Sequence, residues 1–271
     1  MPEATGGVIP IGTAELVLAT GFVVVAAALS LWMGLRLERD LAIATVRTYL
    51  QLLALGFVLK WVFANQTWPI VLALVAVMVV AAARVVLRRA DNAPSGVFGS
   101  AVVSMALTGF TVTFAVTALI VRVPVWYEAR YVLPIAGMVI GNSMTGIALA
   151  IERLFADLDA RSGEMLATGA LGASVWEMAR PSVRVALQAG MVPTINSMAA
   201  AGVVFIPGMM TGQILAGADP VRASTYQIVV MLMIAAATAV GAITAVLLMY
   251  RRRFSDEGVY LEPGYRERQG G

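Results

Sequence analysis

The sequence predicts an all-α fold: a polytopic membrane bundle of about seven transmembrane helices, amino terminus outside, carboxyl terminus in the cytoplasm. Three observations carry that expectation. The composition is 60% hydrophobic and 13% charged, with mean hydropathy +0.85, which lies outside the range of soluble domains. Apolar runs of roughly 20 residues, enough to cross about 30 Å of hydrocarbon as helix, recur along the chain. Basic residues crowd the ends of these runs on one side, as the positive-inside rule requires.

The runs lie near 15–35, 42–63, 69–87, 100–121, 131–151, 191–216 and 225–250. Helices follow because lipid-facing backbone must satisfy its own hydrogen bonds, and the short alternating segments of a membrane β-barrel are missing. The first run has Glu3 and Glu15 at its start and no basic residue before Arg36. It lacks the basic n-region of a cleavable signal and is expected to stay as a span. Arg36, Arg39, Arg84, Arg88, Arg89, Arg153, Arg161, Arg180, Arg184 and Arg251 to Arg253 fall on one side, against Lys60, Arg122, Arg130 and Arg222 on the other. The richer side is assigned to the cytoplasm of a multi-pass protein in the inner (plasma) membrane. Trp61, Trp68, Trp126 and Tyr127 then fall at the outer boundary, where amphipathic rings prefer to sit.

With so much of the length in spans, 1–271 reads as a single transmembrane domain. Its longest polar connection, 152–190, mixes helix formers with Gly169, Gly172 and Pro181, and so reads as short cytoplasmic helices separated by turns. The tail, about 254–271, is polar and Gly-containing and is expected to be mobile.

The missing residues exclude much chemistry. There is no cysteine and no histidine, which removes disulfides, thiolate nucleophiles, imidazole bases and the commonest zinc and copper ligands. The basic residues sit at span ends, so the formal charge of +3 does not point to nucleic acid. The single lysine, Lys60, follows Leu59, so no phosphate-binding loop ending in Gly-Lys-Ser/Thr exists here. Transport driven by ATP would need a separate chain to bind the nucleotide and dock on the cytoplasmic face. A short amphipathic helix within 152–190, joined to the spans that must move, has the layout for such docking.

Four stretches are distinctive: IGNSMTGIALAIERL (140–154), ALGASVWEMARPSVRVAL (170–187), PTINSMAAAGVVFIPGMMTGQILAGADP (193–220) and YQIVVMLMI (226–234). Together they make the chain resemble the FetB-type permeases, a family of membrane proteins with plant half-transporter relatives linked to aluminium tolerance. The resemblance implies a permease subunit of an ABC transporter, exporting iron or a related metal. It implies a homodimer of this chain with two copies of a cytoplasmic ABC ATPase that carries the ATP and magnesium, and no cofactor on this chain. The 152–190 connection also resembles the EAA-type loop of ABC importer permeases, although Glu164 stands eight residues before Gly172 and five before Gly169, neither the usual spacing. A second departure is Ala199, Ala200 and Ala201, smaller than the aliphatic run expected there.

Asn-Ser-Met occurs twice, and polar residues inside spans face helices or a wet path by default. Asn142, Ser143, Met144 and Thr145 in one segment, with Asn196, Ser197, Met198, Met209, Met210, Thr211 and Gln213 in the other, are the candidates for the substrate pathway. Pro207-Gly208 interrupts the second segment, and broken spans are tolerated where they line a cavity. Gly137 with Gly141, and Gly208 with Gly212, have the spacing of close helix contacts in lipid. Methionine sulfur suits soft metals and oxygen harder ions, yet methionines such as Met144, Met198, Met209 and Met210 are more often plain packing residues, so no metal ligand is assigned. Glu164, Trp176, Glu177 and Arg180 are the candidates for docking the ATPase.

Two other classes compete. An ATPase-independent channel or secondary transporter for a small solute would ordinarily use intramembrane carboxylates, but Glu15, Glu128 and Glu152 stand at span boundaries. An intramembrane enzyme would have to work without a His-assisted nucleophile or a His-based metal site.

Overall fold

The computed structural model describes residues 11–89, 94 and 96–261, and within them it is helical apart from two isolated β-bridges. Nine α-helices follow one another among these residues: α1 (Thr13–Met33), α2 (Glu38–Ala64), α3 (Trp68–Arg88), α4 (Phe98–Ala115), α5 (Ala129–Ala160), α6 (Ser162–Ala170), α7 (Val175–Ala200), α8 (Gly208–Leu215) and α9 (Pro220–Met249). A π-helical stretch, Val116–Ile120, continues α4, and a 3-10 turn, Tyr250–Arg253, continues α9. Six helices are long and apolar enough to cross a membrane: α1, α2, α3, α4 with its continuation, α5, and α9 with its turn.

The other apolar run, 191–216, is not one helix. α7 begins back at Val175 and ends at Ala200; Gly202 then takes a left-handed φ of +80°, and α8 starts at Gly208 behind Pro207. Proline has no N–H to continue a helix, which fits the predicted interruption at Pro207-Gly208. Pro181 and Pro193 instead sit inside α7, where each removes one backbone hydrogen bond without ending the helix.

The chain divides into two bodies. One comprises residues to Gln66 together with Gly212–Asp219. In it α1 and α2 form a hairpin: Gly34 ends α1 in left-handed geometry (φ +66°), and the Ser30 hydroxyl accepts from the Leu37 amide at 2.9 Å. Tyr49 closes the pair, its hydroxyl 2.8 Å from Thr20 and 3.0 Å from the Leu16 carbonyl. Phe22, Trp32, Leu52 and Phe57 are exposed. In water such a surface would drive association; in lipid it costs nothing.

The second body, Thr67–Thr211 and Pro220 onward, holds the core. α5 is its axis, packed against α3, α4, α7 and α9. The tightest crossing is glycine on glycine: a Cβ on Gly190 of α7 would meet the Gly146 carbonyl oxygen of α5 at 2.7 Å, and one on Gly146 would meet the Gly190 oxygen at 2.6 Å. Small residues of this kind let helix backbones approach where lipid offers no hydrophobic drive. α9 closes the same layer, with Thr194 Oγ1 donating to Thr238 Oγ1 at 3.3 Å and Ser104 Oγ to the Gly241 carbonyl at 2.7 Å, both buried. The close approaches therefore use Gly146, Gly190 and Gly241. At Gly141, Gly208 and Gly212 an added Cβ would meet nothing within 4 Å.

Candidate functional site

The predicted docking residues lie in the α6–α7 hairpin, and the predicted pathway residues lie on α5 and on either side of the break between α7 and α8.

In the hairpin, α5 runs on to Ala160, nine residues past its apolar run, and α6 and α7 pack against each other. The turn between them is set by glycine: Gly172 adopts φ +91°, while the Ala173 and Leu171 amides bond the Thr168 carbonyl at 3.1 Å. α7 starts with a capping box. Ser174 Oγ accepts from the Glu177 amide at 3.3 Å, and the Glu177 carboxylate accepts from the Ser174 amide at 2.8 Å and its hydroxyl at 2.7 Å. These hydrogen bonds, the hydroxyl's first and the amide's second, hold the Glu177 carboxyl below the usual range. Glu164 is likewise held low, chiefly by hydrogen bonds from Arg161, whose own pKa rises in return. Two of the four predicted docking residues thus have structural tasks inside the hairpin.

Trp176 is partly exposed and lies edge-on to Tyr250 with centroids 5.6 Å apart, whereas Arg180 is exposed. A groove of about 460 Å³ opens between α6 and α7, lined by Arg161, Glu164, Met165, Leu171, Glu177 and Pro181. Leu171, at the turn, is 87% exposed. Sequence reasoning passed it over, although the flanking Gly169 and Gly172 mark the turn that presents it.

Residues 254–261, expected as part of a mobile end, are held against this region. Phe254 and Tyr260 form an antiparallel bridge and an edge-to-face ring pair, and the Tyr260 hydroxyl donates to Asp159 Oδ1 at 2.6 Å. Arg253, nearly buried, bridges Asp159 Oδ2 at 3.0 Å and stands 5.4 Å from the Phe155 ring centroid. A second groove runs between this turn and α6–α7, lined by Met165, Val175, Met178 and Glu257 among others. The rest of the predicted tail, 262–271, lies outside the described residues.

The pathway candidates are spread over α5, α7 and α8. Ser143 is buried with its hydroxyl on the Val139 carbonyl at 2.6 Å; Asn142 is exposed and donates to the Met138 carbonyl at 2.7 Å. Met144 and Thr145 are half-buried on α5. Asn196, Ser197 and Met198 are exposed on the last turns of α7, and no hydrogen bond joins Asn142 to Asn196. Met209 and Met210 are half-buried in α8, and Thr211 bonds back to the Pro207 carbonyl at 3.2 Å. Gln213 lies further along α8, on the segment grouped with the first body. Met198, Pro207 and Met210 border a cavity of about 460 Å³ with Ser224, Gln227 and Met231 of α9. Neither Gln227 nor Met231 was marked by sequence pattern, since α9 reads as a uniform apolar span.

Comparison with known proteins decides the family. The family model "Uncharacterised protein family (UPF0014)" matches residues 13–254. The chain belongs to UPF0014. A UPF0014 membrane protein of Synechocystis is 35% identical over 237 residues, covering 87% of this chain and 91% of the relative. The probable iron export permease protein FetB of Escherichia coli is 32% identical over 242 residues, covering 89% and 92%. Protein ALUMINUM SENSITIVE 3 of Arabidopsis thaliana is 33% identical over 235 residues, covering 86% and 84%. No solved structure matches the chain. As a UPF0014 member with several apolar helices, it is a multi-pass membrane protein of a permease family.

Proposed function

We propose that this chain is the membrane-spanning subunit of an ABC transporter that exports iron or a related metal, driven by a separate cytoplasmic ATPase. The α6–α7 hairpin carries this reading. It projects an exposed apolar residue, Leu171, over an open groove, and its second helix runs without a break into the packed core at Gly190. Such a hairpin suits a docking element: a partner closing on it would move α7 directly. The relative named as an iron export permease spans nearly the whole chain, which supports export and a metal cargo.

In this reading the hairpin faces the cytoplasm of a bacterial-type inner membrane and the amino terminus lies outside. α7 and α8 together form the seventh, broken span. Two copies of the chain assemble, and the exposed Asn142 and Gly208 belong to the surface where they meet, around the pathway. ATP and magnesium stay on the ATPase. Leu171, Trp176 and Arg180 contact it, while Glu164 and Glu177 hold the hairpin in shape.

The test is co-purification of the full chain with its neighbouring ATPase, in detergent, for wild type, Leu171→Asp and Arg180→Ala. Release of the ATPase by Leu171→Asp, with an unchanged elution profile of the membrane chain, is expected. Retention of the ATPase by both variants would refute the assignment of the docking surface, and failure of the wild type to associate with any ATPase would refute the pump.

A further inference from the structure

The cavity between the end of α7, the start of α8 and α9 has a composition that packing alone does not explain. It measures about 460 Å³, many times the roughly 30 Å³ share of one liquid water. Three separate helices each send a methionine to its wall: Met198 from α7, Met210 from α8 and Met231 from α9. Methionine most often fills irregular gaps in a core. Here three methionines line a gap that none of them fills.

Two polar side chains, Ser224 and Gln227, stand among the lining residues. Ser224 Oγ lies 2.9 Å from the Pro220 carbonyl and 3.8 Å from Met210 Sδ. The hydroxyl has one proton, and the shorter contact takes it, so the sulfur keeps its lone pairs. Gln227 is 7% exposed, and its Oε1 is itself buried and accepts no hydrogen bond, which costs energy. No charged side chain lines the cavity. Soft thioether donors with no carboxylate favour a soft, low-charge metal over a hard one, since a hard divalent ion would lack carboxylate ligands and charge compensation.

We propose that this cavity binds a soft transition-metal cation of the copper(I) and silver(I) class, through the sulfurs of Met198, Met210 and Met231. The inference rests on the metal-export reading and narrows its cargo to a softer ion than ferrous iron. It also gives the broken span a purpose: the stretch 201–207 between α7 and α8 lets Met198 and Met210 approach one cavity from different helices.

The experiment uses the full chain in detergent, without ATPase, in chloride-free buffer. Silver(I) is titrated by equilibrium dialysis, copper(I) by competition with a chromogenic chelator under reductant, and ferrous iron anaerobically. One saturable equivalent of silver(I) and of copper(I) per chain is expected, with ferrous iron at least about tenfold weaker. The combined variant Met198→Leu, Met210→Leu, Met231→Leu is expected to lose that equivalent, and Met231→Leu alone to weaken it, while Met33→Leu with Met191→Leu keeps it. No saturable binding, equal binding by the combined variant with an unchanged elution profile, or ferrous iron bound as tightly as copper(I) would each overturn the proposal. The outcome separates from the pump reading: a chain that binds the soft cation but no ATPase refutes the pump and keeps the site, and a chain that binds the ATPase but no soft cation refutes the site alone.

Discussion

The α5–α7 crossing can be tested by adding a single methyl group. In Gly190→Ala the new Cβ would lie 2.7 Å from the Gly146 oxygen and 2.9 Å from the Ala150 Cβ, where ordinary contacts begin near 3.4 Å. Both neighbours sit on helix α5, and the carbonyl cannot swing aside without breaking α5's own hydrogen bonds. The helices must therefore separate by about 0.5–0.7 Å, a gap that forfeits a quarter to a half of each contact's attraction along the seam. Overpacking of this kind costs about 1–3 kcal/mol, against which alanine recovers about 1 kcal/mol of helix propensity. Gly141→Ala is the internal control, on the same helix as Gly146 but with nothing within 4 Å of the new methyl, so it keeps the propensity gain alone. The propensity gain is common to both, so the two variants should differ by about 1–3 kcal/mol, with Gly190→Ala the less stable. Unfolding followed by tryptophan fluorescence in mixed micelles, with increasing denaturing detergent, reads that difference. A Gly190→Ala protein as stable as Gly141→Ala would mean that the crossing is looser than the backbone contact implies.

Ser174→Ala removes the hydroxyl of the capping box and should destabilise the start of α7 by about 0.5–2 kcal/mol, read as faster amide exchange at residues 175–180. The same box gives a pH dependence: a carboxyl held low contributes stability that is complete above the unfolded glutamate's range and disappears as pH falls through its own, lower value. Amide protection at the start of α7 should therefore hold from neutral pH down to the usual glutamate range and fall below it, with a smaller fall in Ser174→Ala; protection independent of pH would contradict the box. Tyr260→Phe deletes the 2.6 Å bond to Asp159 and, because the acceptor is charged and only partly exposed, should cost about 1–2 kcal/mol and speed exchange over 254–261. Unchanged exchange there would show that the Arg253 contacts hold the turn by themselves.

Most of this architecture could be read from apolar run length. The expected spans at 15–35, 42–63 and 69–87 fall on α1, α2 and α3 within a few residues, because burial in lipid imposes a length that the sequence must match. The break at Pro207-Gly208 was equally readable, since a missing N–H and a missing Cβ act locally. What escaped is what depends on partners distant in sequence. Gly146 and Gly190 are 44 positions apart and share no spacing motif, whereas in the GxxxG pairs a Cβ on Gly137 would meet only Met78 Cε, at 3.5 Å, and one on Gly141, Gly208 or Gly212 would meet nothing within 4 Å. The turn at 254–261 looked like a polar tail because its anchors, Asp159 and Phe155, lie almost a hundred residues earlier. Glu164 and Glu177 are expected from the sequence to dock the ATPase, but composition cannot tell a carboxylate that holds a hairpin together from one that meets a partner.

The proposed docking hairpin and the proposed metal cavity share one element, α7, which gives them a route of communication. α7 is continuous from Val175 to Ala200, so Trp176 and Met198 move together unless the helix bends. The Gly146–Gly190 backbone contact is the natural pivot, being the place where α7 is pinned most closely to α5. At 1.5 Å per residue, Trp176 stands about 21 Å on one side of it and Met198 about 12 Å on the other. A hairpin displaced by about 3 Å would then shift Met198 by about 1.7 Å in the opposite sense, a displacement large enough to pull one sulfur out of a metal's coordination shell. This lever requires stiffness near the pivot, and Gln188→Gly with Ala189→Gly would soften it at a cost of about 1 kcal/mol per site. The expected result is a chain that still retains the ATPase and still binds copper(I), but whose ATP turnover no longer responds to the cation. Turnover that responds to copper(I) as in the wild type would refute the lever while leaving both sites standing, because each would then communicate through some element other than α7.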